Sequence, residues 1–142
     1  MTTKFVVDAS VAMKWFIPEV HSAAAERLLH SRFDVSAPDL IRPEFGNVLW
    51  KKRRRGEINQ KDALEILAGL ESIGLEVHSS TALLVPAFEI ATALDRTVYD
   101  SVYLALAVAQ DCALITADRK FHSAVAASPL ARNIRFVEDD WS

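Results

Sequence analysis

The stretch from residue 97 to residue 121 constrains the fold of this chain more than any other. Its first part, from Asp100 to Gln110, is rich in Ala and Leu and contains no Gly or Pro. It therefore predicts a helix that is buried on most of its surface. Residues 113–116, Ala-Leu-Ile-Thr, predict a short buried strand directly after this helix. A buried helix that leads into a buried strand is typical of a parallel sheet covered by helices.

Apolar strands and helices alternate along the rest of the chain as well. Strands are predicted at residues 4–7, 33–37, 75–78 and 134–137, in addition to 113–116. Helices are predicted at residues 9–17, 20–31, 43–55, 59–73, 81–95, 100–110 and 119–127. This order indicates an α/β fold with three layers, α/β/α, around a central parallel sheet. The 142 residues are enough for a core of their own, so we expect one domain spanning residues 1–142.

The composition indicates a globular protein of the cytoplasm. Hydrophobic residues make up 51% of the chain and charged residues 25%, which is typical of a globular protein. The net charge is −3, so any binding to a polyanion must be local. The single cysteine, Cys112, cannot form an internal disulfide, which favours a reducing cytoplasm. The longest apolar stretch, residues 102–109, is too short to cross a membrane, so we expect a cytoplasmic protein without membrane contact.

Four acidic residues occupy the positions where such a fold places its sites. Asp8 follows the first predicted strand, and Asp118 follows the strand at 113–116. Asp100 begins the buried helix, and Glu44 begins the helix at 43–55. The carboxyl ends of parallel strands lie at one edge of the sheet, together with the first turns of the following helices. We therefore expect Asp8 and Asp118 at one edge, which Asp100 joins if its helix starts there.

Clustered carboxylates favour the binding of a divalent metal ion, although the residues alone leave other interpretations open. Without comparable cationic partners such groups repel one another, and they suit a hard cation such as Mg²⁺ or Mn²⁺. Such a cation can activate water and neutralise charge on a phosphodiester. Each acid could instead be structural, because Asp caps helices well and Glu favours the first turn of a helix. A metal-dependent phosphohydrolase and a non-catalytic binding module are the other functions that the residues allow.

Four motifs, in order and at matching spacing, resemble those of the PIN-domain family and, within it, of the VapC-type ribonuclease toxins. They are residues 6–10 (Val-Val-Asp-Ala-Ser), 43–49 (Pro-Glu-Phe-Gly-Asn-Val-Leu), 99–107 (Tyr-Asp-Ser-Val-Tyr-Leu-Ala-Leu-Ala) and 116–121 (Thr-Ala-Asp-Arg-Lys-Phe). The resemblance covers nearly the whole chain. It implies an endoribonuclease that depends on Mg²⁺ or Mn²⁺ and is the toxin of a type II toxin–antitoxin pair. It also implies a homodimer and a small antitoxin that covers or invades the site.

The resemblance assigns roles to particular residues of this chain. Asp8, Asp100 and Asp118 would hold the metal, and Glu44 would complete the catalytic acidic cluster through a water molecule. The supporting residues that would orient carboxylates or bound water are Ser10, Asn47 and Thr116.

Basic residues near these motifs are the candidates for contacts with RNA phosphates. Because a helix turns by about 100° per residue, Lys51 and Arg55 return to the angular position of Glu44, whereas their neighbours point elsewhere. Arg119 and Lys120 lie beside Asp118 in the sequence. The basic run at 51–55 could equally be a solvated helix end, where cations favour the negative end of the dipole.

Two predicted helices carry apolar residues beyond the needs of one sheet, namely residues 20–31 and 59–73. We expect these faces to support the homodimer. A cluster of negative charge also attracts cations, so we expect the antitoxin to place an Arg or Lys among the four acids.

Overall fold

The structure is a computed structural model that describes residues 2–141, and a parallel sheet of five strands runs through its centre. The strand order is β3-β2-β1-β4-β5. The strands are β1 (Thr3–Val7), β2 (Phe33–Pro38), β3 (Glu76–His78), β4 (Ala113–Thr116) and β5 (Ile134–Phe136). Every neighbouring pair of strands is parallel. The expectation of a central parallel sheet is confirmed.

Within residues 2–141, seven α-helices flank the sheet, so the three-layer α/β/α fold is confirmed as well. They are α1 (Ala9–Met13), α2 (Ser22–Glu26), α3 (Ile41–Arg54), α4 (Gln60–Ser72), α5 (Leu84–Leu94), α6 (Val98–Ala109) and α7 (Arg119–Ala126). Short 3₁₀ turns occupy Arg27–Leu29, Thr81–Leu83 and Ala131–Asn133. Over residues 2–141, none of the helices combines the length and the apolar character that crossing a membrane requires.

Helix α6 is the buried helix that the sequence predicts. All its residues from Ser101 to Ala107 are buried, and it packs against β1, β2 and β4 with α5 alongside it. Two side chains in this run carry a hydroxyl, Ser101 and Tyr103, and that of Ser101 donates to the carbonyl of Thr97 at 2.8 Å. The helix begins at Val98, earlier than predicted, because the side chain of Thr97 accepts from the N–H of Asp100 at 3.1 Å and caps it.

Two predicted helices are shorter than expected. Helix α1 ends at Met13 instead of Ile17, because the N–H groups of residues 14–16 bond to carbonyls three residues back and tighten the chain. Helix α2 begins at Ser22 because His21 has a φ of 68°, in the left-handed region that a right-handed helix excludes. After Glu26 the chain tightens into the 3₁₀ turn.

An ion-pair network holds α1 beside α3. The side chain of Lys14, which follows α1, is only 8% exposed, and its Nζ lies 3.0 Å from Glu19 Oε1. Lys52 of α3 binds the other oxygen of Glu19 at 3.3 Å. Burial alone would raise the pKa of Glu19, but the hydrogen bonds and charges of the two lysines lower it. Lys52 therefore belongs to this network, while its neighbour Lys51 is exposed.

Candidate active site

Asp8 lies at the carboxyl end of the central strand. Its Oδ1 accepts hydrogen bonds from the N–H of Val11 at 3.0 Å and the hydroxyl of Ser10 at 2.7 Å, so Asp8 does cap helix α1. Its Oδ2 accepts from the hydroxyl of Thr116 at 3.2 Å. Burial raises the pKa of Asp8, while the three hydrogen bonds and the charge of Asp100 act in opposite directions on it. The carboxylate is thus fixed in orientation and disfavoured in its charged form.

Thr116 connects the two acids that follow the strands. The register pairs Val7 with Ile115, which puts Thr116 level with Asp8. Its hydroxyl donates to Asp8 and accepts from the N–H of Asp118 at 3.1 Å. Asp118 caps α7, because its Oδ1 accepts from the N–H of Phe121 at 3.1 Å. Asp8 and Asp118 therefore lie at the same edge of the sheet, and each caps the helix that follows it.

Asp100 reaches this edge through the first turn of α6, and a cation lies between it and Asp118. The Nη2 atom of Arg96 is 3.0 Å from Asp100 Oδ2 and 3.6 Å from Asp118 Oδ2. The acids therefore do have a cationic partner, which the prediction of mutually repelling carboxylates did not include. The spacing of four residues between Arg96 and Asp100 was the signal that could have indicated the contact.

Glu44 lies in the first turn of α3 and is partly buried. Its pKa is about 7, mainly because burial disfavours the charged form, and the charges of Asp8 and Asp100 raise it further. The hydroxyl of Tyr103, which is on α6 and only 2% exposed, lies next to the Glu44 carboxyl and favours its charged form. Burial and the nearby carboxylates raise the pKa of Tyr103 itself. The sequence did not indicate Tyr103, because it lies inside the apolar run of α6.

Three buried polar side-chain atoms in residues 2–141 have no hydrogen-bond partner, and all belong to this cluster. They are Glu44 Oε1, Arg96 Nε and Tyr103 Oη, since the Tyr103 hydroxyl does not reach full hydrogen-bond geometry with Glu44. Buried polar groups are nearly always paired in native proteins, so this concentration distinguishes the cluster from the rest of residues 2–141.

The donor chemistry of the cluster fits a hard divalent cation. Its ligating atoms are carboxylate oxygens, which Mg²⁺ and Mn²⁺ prefer, and one of them, Glu44 Oε1, is unpaired. In the part of the chain that is described, no three Asp, Glu, His or Cys side chains stand in a ready-made coordination group. Mg²⁺ needs only one or two carboxylates, because it keeps several of its waters.

The other candidate residues divide into two groups. Ser10 and Thr116 both contact Asp8 directly. Asn47 is exposed on α3, one turn beyond Glu44.

The candidate RNA contacts are all exposed. Lys51 lies about 10 Å and Arg55 about 16 Å from Glu44 along the axis of α3, from the rise of 1.5 Å per residue. Arg119 begins α7, and its guanidinium carbon lies 3.5 Å from the centre of the Phe136 ring. Lys120 follows it in the first turn of the same helix.

The sequence and the fold both match known proteins. The family model of the PIN domain matches residues 5–126. Ribonuclease VapC3 of Pyrobaculum aerophilum is 38% identical, over 82% of this chain and 91% of that protein. The crystal structure of PAE2754 from Pyrobaculum aerophilum has a TM-score of 0.73 at 23% identity, covering 97% of this chain and 92% of that one. A toxin–antitoxin complex from Klebsiella pneumoniae has a TM-score of 0.66 at 12% identity, covering 95% of this chain and 98% of that one.

Proposed function

We propose, since the chain belongs to the PIN-domain family, that it is a metal-dependent endoribonuclease and the toxin of a type II toxin–antitoxin pair. The observation that carries the proposal is the convergence of four acids and three unpaired buried polar atoms at one edge of the sheet. The identity of 38% to a ribonuclease of this family supports the same activity.

Asp8, Asp100 and Asp118 would hold Mg²⁺ or Mn²⁺, and Glu44 would complete the cluster through a water molecule. A divalent cation held there supplies an activated water and neutralises charge on the phosphodiester. Ser10 and Thr116 keep the carboxylate of Asp8 in one orientation through their hydrogen bonds. We assign Asn47 a weaker supporting role, at the exposed rim of α3.

Exposed cations beside the acids would bind the RNA backbone, since phosphates are the main partners of Lys and Arg in such complexes. Arg119 and Lys120 are the first choice, because they directly follow Asp118. Lys51 and Arg55 lie further along α3 and would contact phosphates more distant from the cleaved bond. The solvated-helix interpretation of residues 51–55 stays open, because the same residues lie at the negative end of the helix dipole.

An antitoxin protein and a second copy of this chain are the proposed partners. A structural relative is a toxin–antitoxin complex, which supports the first. We expect the antitoxin to place an Arg or Lys among the four acids, where charge-assisted hydrogen bonds are strong. Because its substrate is cellular RNA, we expect the protein to act in the cytoplasm.

Cleavage of single-stranded RNA tests the proposal. Purified protein is expected to cut RNA with Mg²⁺ or Mn²⁺ and to stop in EDTA. Asp8→Asn is expected to lower the cleavage rate by orders of magnitude, because an amide lacks the charge that holds a hard cation. Asp62→Asn is the matched control, since Asp62 is exposed in the first turn of α4, and it should cleave like the wild type.

Two results would count against the proposal. Undiminished cleavage in EDTA, or by Asp8→Asn, would rule out the metal mechanism. A complete lack of cleavage on many RNAs would favour the non-catalytic binding module. The observation that favours this second candidate is the contact of Arg96 with two of the acids, which offsets part of the negative charge without any metal.

A further inference from the structure

Arg96 is held beside the acidic cluster by three independent features. Asp95 has a φ of 53° and turns the chain out of α5. The N–H of Arg96 donates to the carbonyl of Ala91 at 3.2 Å. Its guanidinium carbon lies 5.0 Å from the centre of the Phe121 ring, within the range of cation–π attraction. The side chain is only 23% exposed, so the guanidinium is a fixed part of this edge of the sheet.

The contacts of this guanidinium differ from those of an arginine placed for stability alone. A single nitrogen, Nη2, approaches both Asp100 Oδ2 at 3.0 Å and Asp118 Oδ2 at 3.6 Å. A strong arginine–carboxylate pair uses two nitrogens in a fork, whereas Nε of Arg96 is buried without a partner. A buried N–H without a partner reduces stability. The arrangement therefore places one positive charge between two carboxylates from different elements.

We propose that Arg96 is a resident counter-ion that competes with the divalent cation for Asp100 and Asp118 and so sets the metal affinity of the site. The inference rests on the proposed function, because it takes these two carboxylates as metal ligands. A guanidinium held against these oxygens repels a metal ion that binds them, since like charges repel at such distances. When the metal binds, Asp100 and Asp118 therefore lose their contact with Arg96. The loss of this contact weakens the affinity of the site for the metal.

The alternative is an ordinary ion pair between residues four apart, without any bearing on metal. Isolated pairs that stay partly accessible to solvent contribute little to stability. This interpretation accounts for the contact with Asp100 but not for the approach to Asp118, which lies beyond β4. It also predicts that removing Arg96 leaves metal binding unchanged, so the two interpretations can be separated by experiment.

The experiment is calorimetric titration of Mn²⁺ into the purified full-length protein, wild type against Arg96→Gln. Without the competing charge, the Kd for Mn²⁺ is expected to fall about tenfold or more, which corresponds to about 1.4 kcal/mol. Arg132→Gln is the matched control, because Arg132 pairs with Asp111 at the opposite end of β4 and its loss changes the net charge equally. Its Kd should stay within about twofold of the wild type, since distant exposed charges are screened.

A second measurement uses the wild type alone, in case Arg96→Gln does not fold. In a Mg²⁺ titration followed by ¹H–¹⁵N NMR, the Nε–H resonance of Arg96 should shift and reach a plateau as Mg²⁺ fills the site, while that of Arg132 should not move. A resonance of Arg96 that stays in place at saturation would overturn the inference.

The outcomes distinguish this inference from the proposed function. If the wild type binds Mn²⁺ and Arg96→Gln binds it equally or more weakly, the counter-ion role is wrong and the ribonuclease proposal stands. If only the variant binds Mn²⁺, competition by Arg96 is supported in its strongest form. If neither protein binds Mn²⁺, both the counter-ion role and the metal site fail.

Discussion

Glu44 is a carboxyl group whose charge changes with pH near neutrality. Its pKa of about 7 lies above the ordinary value of 4.5 because the carboxyl is partly buried beside two other acids. The folded protein then holds this proton more tightly than the unfolded chain does. Stability therefore falls as pH rises from about 4.5 to about 7 and levels off above that range. Asp8, whose pKa burial also raises, acts in the same direction.

Glu44→Gln removes this titration and keeps the shape of the side chain. Because solvent screens a carboxyl that is only partly buried, the variant is expected to exceed the wild type in stability at pH 8 by on the order of 1–2 kcal/mol, and to show little gain at pH 5. Urea unfolding in EDTA at both values of pH measures the difference. Glu65→Gln, on the exposed side of α4, should show no such pH dependence. An equal gain at both values of pH would contradict the role of the Glu44 charge.

Individual residues were predictable from the sequence where the topology alone decides their position. Asp8 and Asp118 follow neighbouring parallel strands, so their edge of the sheet could be inferred before any coordinates. Arg96 precedes α6 in a short connection without hydrophobic periodicity, and only its spacing from Asp100 could have indicated its position. The place of the Tyr103 hydroxyl in the site could not be predicted, because the sequence pattern of α6 treats tyrosine as an apolar residue.

At the start of helix α7, one carboxylate caps the helix with one oxygen and presents the other to the acidic cluster. Asp118 caps the helix through Oδ1, while Oδ2 faces Arg96. Asp118→Asn is expected to keep the cap and most of the stability, because Asn caps about as well as Asp. Asp118→Ala should lower the free energy of unfolding by about 1 kcal/mol. If Asp118 is a metal ligand, both variants should lose most of their cleavage.

Thermal or chemical unfolding and RNA cleavage, measured on the same preparations, check these expectations. Asn59→Ala is the matched control, since Asn59 caps α4 through its own hydrogen bond of 2.8 Å to the N–H of Asp62. That variant should lose similar stability and keep its cleavage. Full cleavage by Asp118→Asn would return Asp118 to a purely structural role.

The elements themselves were easier to predict than their ends. Strand β4 coincides with its predicted residues. A largely apolar run of four residues between a helix and an acidic residue is too short for another helix, so a buried strand is the structure that fits it. The start of α2 was missed, because the left-handed conformation of His21 accompanies a contact with Glu138 at 2.8 Å, far away in the sequence. Local periodicity carries no information about such a contact.

At the scale of the whole molecule, α5 adds an apolar surface that the sequence did not single out. Val85 is 70% and Phe88 62% exposed, and Leu84 lies beside them. The faces expected to support association, residues 20–31 and 59–73, also leave apolar side chains exposed, among them Leu64 and Leu67. Exposed apolar patches of this kind often mark interfaces, and the homodimer stays a prediction.

Light scattering at micromolar concentration tests the dimer. Val85→Lys with Phe88→Lys is expected to give a monomer, because charged residues would have to be buried in the interface. Leu64→Lys with Leu67→Lys, on α4, tests the face predicted from the sequence and is expected to dissociate the dimer for the same reason. Dissociation by the second pair alone would assign the interface to the face predicted from the sequence, and a monomeric wild type would remove the dimer altogether.

The burial of β1, β4 and α6 has a consequence for how the enzyme can be switched off. These elements position Asp8, Asp118 and Asp100, and they belong to the interior of the molecule. Interior elements open only in rare events that cost nearly the whole free energy of unfolding, whereas termini and surface loops open readily. A protein that silences this nuclease therefore gains nothing by pulling the acids apart. We expect it to act by covering or entering the site, above a framework that stays rigid beneath it.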